Sequence, residues 1–557
     1  MPRRPPRTSR PERHDAGGAA VSAHLAELDR TAGKSGRASR RKEQGSHYTP
    51  PALVAWILDR AMDGRGTPVR ALDPACGAGN FLVAVAERLV ARGVSPAEVL
   101  RGHIYGIDID AAAGELCRAR LLALLSSDTP AAERARVEDA LRVHVVVGDA
   151  LERSIAEVTG IREFDLIVGN PPFLNQLEVA TTASRERAAR IRARSQGVVG
   201  GYADLAAAFL SEACRHASPG GVVGFVMPQS FLAASDAGAM RAWVAANMRV
   251  GGLWTADERL FEDAGVRVCA VIASSEPAGS TVDLAFGPAF SALSPVEPHL
   301  LGSAPWSTLF AAARGVPQIA VSDRPNLASV ASATADFRDQ FYGLKGAIVD
   351  RADADDALFP RLVSTRHVDL AHCAWGDRPV RVLFERYAAP RADRATLERD
   401  AKMAAWMRAR LVPKVLVATQ TKVMEAVVDE RGAWLPVVPL ISATPRDGAP
   451  IDLWMLAAAI ASPVATAEAA RVSYGAALGA EAIKLSAKQL LALPLPIDRE
   501  AWCESARLFR SASCAPDARS RGELLRRFAE SSCRAHGLCG PAAAEALRFW
   551  TERICQR

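Results

Sequence analysis

The apolar positions of this chain change rhythm along its length. From about residue 46 to residue 275, short uncharged runs alternate with stretches that repeat at helical spacing; beyond that the alternation fades. Val69 to Leu72, His103 to Ile109, Val143 to Val147, Asp165 to Val168 and Val222 to Val226 read as strands buried on both faces, because such runs suit the middle of a parallel sheet. Between them, Phe81, Leu82, Val85 and Leu89 share one helical face, as do Val54, Ile57, Leu58 and Met62. Asp204 to Ala217 is amphipathic and is followed by the breaker Pro219-Gly220-Gly221. This alternation predicts an α/β fold, a doubly wound Rossmann-like sheet.

Elsewhere the pattern is weaker. Residues 1–45 are rich in Arg, Pro, Ser and Gly, and predict a disordered basic tail. Residues 276–500 carry scattered strand and turn signals and predict an α+β domain. Lys414 to Thr419 and Ala426 to Asp429 suit a hairpin, and Leu453 to Ala461 a helix. Residues 501–557 predict a helical segment, with Leu524, Leu525 and Phe528 on one face.

The candidate chemistry sits at strand ends. In FDLIVGNPPF, residues 164–173, a buried strand meets Gly169 and then two prolines. Prolines carry no N–H and fix φ, so the ladder stops and carbonyl oxygens are left at the carboxyl end of the strand. Open α/β sheets bind ligands at that end. The Asn170 side-chain oxygen and the Pro171 carbonyl together can accept both hydrogens of a planar amino group. Held out of the ring plane, the nitrogen is drawn toward sp³ and its lone pair is freed. Phe173 offers a flat face for stacking. Standing alone, the same residues also make an ordinary proline turn.

A second strand end, DPACGAGNF, places Asp73 before a small-residue turn with Gly77 and Gly79. It matches neither the dinucleotide nor the P-loop fingerprint. Its carboxylate would repel phosphate and suits the ammonium of a zwitterion, which points to S-adenosyl-L-methionine. GIDID places Asp108 where ribose hydroxyls are held, with Asp110 as a helix cap, and GDAL places Asp149 within reach of an adenine amino group. Thr49 before Pro50-Pro51 reads as the N-cap of the first helix.

Tyr48-Thr49-Pro50, DPACGAGNF, GIDID, GDAL and NPPF, in this order, resemble the DNA adenine N6 methyltransferases of restriction–modification systems, in the gamma arrangement. The resemblance covers roughly residues 45–275. It implies a catalytic domain at 46–275 dependent on S-adenosyl-L-methionine and a target recognition domain at 276–500. It implies contacts to the cofactor from Thr49, Asp73, Ala75, Cys76, Gly77, Gly79, Asp108, Asp149 and Pro172, and an amine held by Asn170 and Pro171. It further implies a flipped base between Phe173 and a second aromatic, Phe261, with double-stranded DNA as partner. An N5-glutamine or RNA amino-methyltransferase uses the same turn, and a DNA-binding scaffold could keep the fold without activity. The acceptor geometry by itself does not separate adenine N6 from cytosine N4.

Charge adds little: 68 basic against 62 acidic side chains leave +6, a mild bias that permits a polyanionic partner. The basic insertion at 174–200 (Arg185, Arg187, Arg190, Arg192, Arg194) is either a solvated helix face or a loop that meets DNA phosphate. The 10 cysteines are scattered, which suits reduced thiols in the cytoplasm. Cys533, His536 and Cys539 lack a fourth ligand nearby, so no metal site is expected. The longest apolar candidate, Leu453 to Ala467, is too short for a bilayer and contains Pro463. No nuclease constellation is evident, so restriction would need a separately encoded endonuclease.

Overall fold

The computed structural model describes residues 49–64, 66, 69–173, 182–199, 205–260, 267–276, 280–302, 304–320, 324–336, 338–475 and 481–555. The basic tail, Tyr48 and Phe261 lie outside them. The chain divides into two units, residues 1–231 with 235–304, and residues 305–557 with 232–234.

The first unit begins with α1 (Pro51–Ala61), followed by β1 (Ala71–Asp73), α2 (Asn80–Ala91), α3 (Pro96–Gly102), β2 (Ile104–Asp108), α4 (Ala111–Leu122), α5 (Ala131–His144) and β3 (Val145–Val147). Then come α6 (Ile155–Thr159), β4 (Phe164–Gly169), α7 (Thr182–Arg194), α8 (Leu205–Arg215), β5 (Ala217–Pro228), α9 (Gly238–Asn247), β6 (Arg249–Thr255), β7 (Val268–Ser274), β8 (Val282–Phe286) and β9 (Ser291–Val296). One sheet holds all nine strands in the order β3-β2-β1-β4-β5-β7-β6-β8-β9. Strands β1 to β5 run parallel, whereas β7 is antiparallel to both its neighbours. The chain goes outward from β1 and returns to β4 on its other side, so the strand order reverses between β1 and β4. Leu166 and Val168 of β4 join the core built with α1 and α2, through Leu53, Ile57, Phe81 and Val85. Ile167, pointing the other way, is equally buried. Both faces of the sheet are covered, as a parallel sheet requires.

Three boundaries differ from expectation. Val143 and His144 finish α5, and β3 starts only at Val145; a β-branched run does not reveal where a helix hands over to a strand. Strand β5 starts at Ala217 and takes Pro219, Gly220 and Gly221 into itself, with a register slip opposite Phe164 and Leu166. The boundary expected at residue 275 falls inside the sheet, because β8 and β9 extend it and the unit runs to Ala304.

The second unit is α+β. One four-stranded sheet orders Ala331–Ala335, Ile441–Pro445, Lys414–Val417 and Ala426–Asp429; another orders Ile348–Asp350, Pro390–Ala392, Arg361–Val363 and Trp434–Pro436. The expected hairpin is present, with Lys414 opposite Asp429. Their side chains form a buried ion pair at 2.6 Å, and the carboxylate also accepts from the Ala433 and Trp434 amides, each at 3.0 Å. The closing helices Arg499–Ser513, Ala518–Ala535 and Gly540–Cys555 do not stand apart as a separate segment. Their Phe509, Phe528 and Trp550 share one core with Val415, Val417, Leu456 and Ile460. Among the described residues no single helix is long and apolar enough to cross a membrane.

Candidate active site

Asp73 ends β1, and Gly169 ends β4 on the neighbouring strand. The register Ala71↔Leu166 and Leu72↔Ile167 brings the two ends side by side. Their approach is so close that a Cβ at residue 169 would lie 2.6 Å from Asp73 Oδ1. Any side chain at 169 would have to displace that carboxylate, which lies beside the residue that precedes Asn170. Asn170 is half-buried with its side-chain oxygen shielded from solvent, Pro171 is buried, and Phe173 leans on the core of the sheet.

Asp73 is buried, and Oδ1 accepts from the Ala75 amide at 3.0 Å. Burial pushes its carboxyl up to about 8, against the pull of that amide and with help from the negative charge of Asp108. Asp108 ends β2 and accepts from the Gly77 amide at 2.6 Å through Oδ2 and from the Asp110 amide at 2.9 Å through Oδ1. Burial raises its carboxyl too. Asp110 caps α4 as expected, accepting from Ala112 at 2.9 Å.

The turn joining β1 to α2 is built from glycines with positive φ, 52° at Gly77 and 84° at Gly79. A Cβ at Gly79 would meet the Cys117 sulfur at 2.6 Å, so the loop is packed from below by α4. Arg120, on the same helix, donates to the Ala78 carbonyl and to Asn80 Oδ1, each at 2.7 Å. Cys76 is buried against Cys117, whose hydrogen bond raises its thiol well above the ordinary range, as does burial. Cys117 and Arg120 are positioning residues that the sequence did not betray, since their partners lie some forty positions away in the chain.

One expected role changes, and Asp149 has partners that the sequence did not show. Thr49 does not cap α1: Pro50 occupies the N-cap position, its carbonyl accepting from Leu53 and Val54, and Thr49 is buried one residue earlier. The extended backbone at Pro50 already makes the turn that a capping side chain would otherwise stabilise. Asp149 turns Oδ1 to the Leu151 amide at 2.8 Å, while Oδ2 receives the Arg187 guanidinium of α7 at 2.6 Å. The basic insertion therefore spends part of its charge on its own unit. Arg190 pairs with Glu152 at 3.5 Å, and Arg194 bonds Glu212 and, at 3.0 Å, the Leu151 carbonyl. Phe261, the expected second aromatic, lies outside the described residues. Among the described residues no group of three or more His, Cys, Asp or Glu side chains is placed to hold a metal ion.

Comparison with known proteins adds to this geometry. Residues 36–285 match the family described as N-6 DNA Methylase. The methylase subunit of the type I restriction enzyme MjaIX from Methanocaldococcus jannaschii is 28% identical over 226 residues, 40% of this chain and 36% of that protein. The type II methyltransferase M.BanIII from Aneurinibacillus aneurinilyticus is 26% identical over 233 residues, 40% of this chain and 37% of its own length. The chain thus spans little more than a third of the curated relatives it matches. Among solved structures, the type IIL restriction-modification enzyme MmeI in complex with DNA is similar in fold, with a TM-score of 0.54 at 14% identity, over 97% of this chain and 78% of that one. The strand order, the acids of β1 and β2 and the Asn-Pro-Pro-Phe turn all lie within residues 36–285, the stretch that is similar to the N-6 DNA methylase family.

Proposed function

We propose that the chain is a site-specific DNA methyltransferase that moves a methyl group from S-adenosyl-L-methionine to N6 of a flipped adenine in double-stranded DNA. The observation that carries this is the seating of Asn170 next to Asp73, at the point where the strand order reverses. Asn170, the proposed acceptor, and a buried acid thus follow from neighbouring strand ends.

The residues present fit the cofactor. Asp73 and Asp108 converge on a glycine turn. Two acids that already hold the amides of the turn suit an ammonium and ribose hydroxyls and repel a phosphate. S-adenosyl-L-methionine, when bound, supplies an electrophilic methyl on a cationic sulfonium. Ala75, Cys76, Gly77, Gly79 and Pro172 would line that site, with Thr49 behind it. Asn170 and the Pro171 carbonyl accept the two amino hydrogens and so localise the nitrogen lone pair. Phe173 stacks on the base, which leaves the duplex at a cost of about a few kcal/mol. Catalysis then comes from positioning and from two fixed acceptors. The second unit reads the DNA sequence in this proposal, and MmeI, solved with DNA, supports it by a likeness in fold that spans both units. A separately encoded endonuclease would complete a restriction–modification system.

The test is Asn170→Ala in the full chain, with transfer of labelled methyl to DNA measured beside calorimetric cofactor binding. Turnover is expected to fall by about 10²–10³-fold, the usual loss of one fixed polar partner, with binding near normal. A variant that still methylates at the wild-type rate overturns the trap.

A further inference from the structure

In the second unit, Val380–Val382 pairs with Glu385–Tyr387 in the register Val380↔Tyr387, Arg381↔Arg386 and Val382↔Glu385. Leu383 and Phe384 make the two-residue turn, both with positive φ, 48° and 75°. Asn-Gly is the pair fitted to such a turn, because a bulky side chain crowds the backbone there. Phe384 is also 77% exposed. Just behind it Arg381 and Arg386 stand directly opposite each other, both exposed, an arrangement that repels itself. The inner side is ordinary: Val380 and Val382 are buried in a core with Leu344, Leu362, Met407 and Leu435, and Leu383 of the turn packs against it. The hairpin is therefore firmly rooted, while its outward face breaks several local rules at once. Leu383 is repaid by its packing, but Phe384 holds a positive φ with its ring in solvent, and a local rule broken without such repayment marks function.

We propose that this hairpin is a wedge that enters duplex DNA, with Phe384 inserted between base pairs and Arg381 and Arg386 on phosphates of the same duplex. The proposal rests on the reading of the chain as a DNA methyltransferase. Proteins that distort DNA insert apolar side chains between base steps, and flanking cations hold the backbone. A polyanion turns the repulsion between the two guanidinium groups into attraction. Arg381 Nε donates to the Phe384 carbonyl at 3.0 Å, which ties one charge to the tip. A protein partner would also cover Phe384, but it would not need two matched cations beside the ring, so DNA is favoured.

The test gives the exposed turn position its fitted residue, Phe384→Gly, in the full chain, and leaves Leu383 on its core. The probe is a duplex carrying the sequence found methylated in DNA from cells expressing the chain, with 2-aminopurine placed in turn at each position. Thermal stability should hold or rise, since the turn is relieved. DNA affinity should fall by about tenfold, the worth of one aromatic–base stack. Wild type should brighten 2-aminopurine at a base other than the target adenine, and the variant should lose that signal. Arg381→Ala with Arg386→Ala should lower the slope of log affinity against log salt by about 2. A turn variant that folds, binds, unstacks and methylates as wild type does overturns the wedge and leaves the catalytic reading intact. Failure of wild type to methylate any DNA overturns that reading, and the wedge with it.

Discussion

Two buried carboxylates, one in each unit, live under opposite terms. Asp429 is matched by Lys414 at 2.6 Å and by two backbone amides, so its charge is met within the fold. Asp73 has the Ala75 amide and, nearby, another acid, and its carboxyl is pushed up to about 8. A matched buried charge holds local structure together, although apolar side chains of similar shape can often replace it. An ionised acid buried beside another acid weakens the fold, and either a proton or a cationic ligand relieves it. The matched pair acts as local structure, and the unmatched acid is what the proposed cofactor site requires.

The sharpest way to break it is to remove one partner of the matched pair. Lys414→Met should destabilise the chain by about 3–5 kcal/mol in denaturant unfolding, because Asp429 stays buried without its cation. Adding Asp429→Leu should recover most of that loss; if it does not, the pair is more than local structure. Asp73→Asn should act the other way on the ligand-free protein. The folded state holds the Asp73 proton more tightly than the unfolded chain does, so this group's contribution is full below pH of about 4 and is lost as pH rises through about 8. Wild type should therefore lose stability across that window, and the variant should lose less, as read by unfolding at several pH values. The same variant should bind S-adenosyl-L-methionine more weakly, and its affinity should no longer grow as pH rises. The smallest effect is expected from Arg187→Ala. It frees Asp149 from a pair about a third exposed on the arginine side, worth up to ~1 kcal/mol, so cofactor affinity should rise by at most about fivefold in calorimetry. Weaker binding would show that Arg187 belongs to the site rather than competing for it.

What could be read from the sequence follows the same division. In the first unit a parallel sheet fixes where strand ends lie, so Asp73, Asp108 and Asn170 were visible from runs of buried residues closed by Gly and Asp. The contacts of Cys117 and Arg120 with the glycine turn were not, because they join elements far apart in the chain. The end of the sheet was missed since β9 is an edge strand, mostly exposed and interrupted by Pro295, with no alternation to follow. In the second unit most strands are three to five residues long, too short for a period to declare itself. Only the Lys414–Val417 hairpin, flanked by clear turn residues, stood out.

The 2.6 Å between Asp73 Oδ1 and the place of a Cβ on residue 169 has an evolutionary reading. One methyl group there would have to displace the Asp73 carboxylate from the Ala75 amide, so the choice of residue at one strand end constrains the other. Gly169→Ala should weaken cofactor binding by displacing the Asp73 carboxylate, and a shorter side chain at 73 should relieve the crowding that alanine brings.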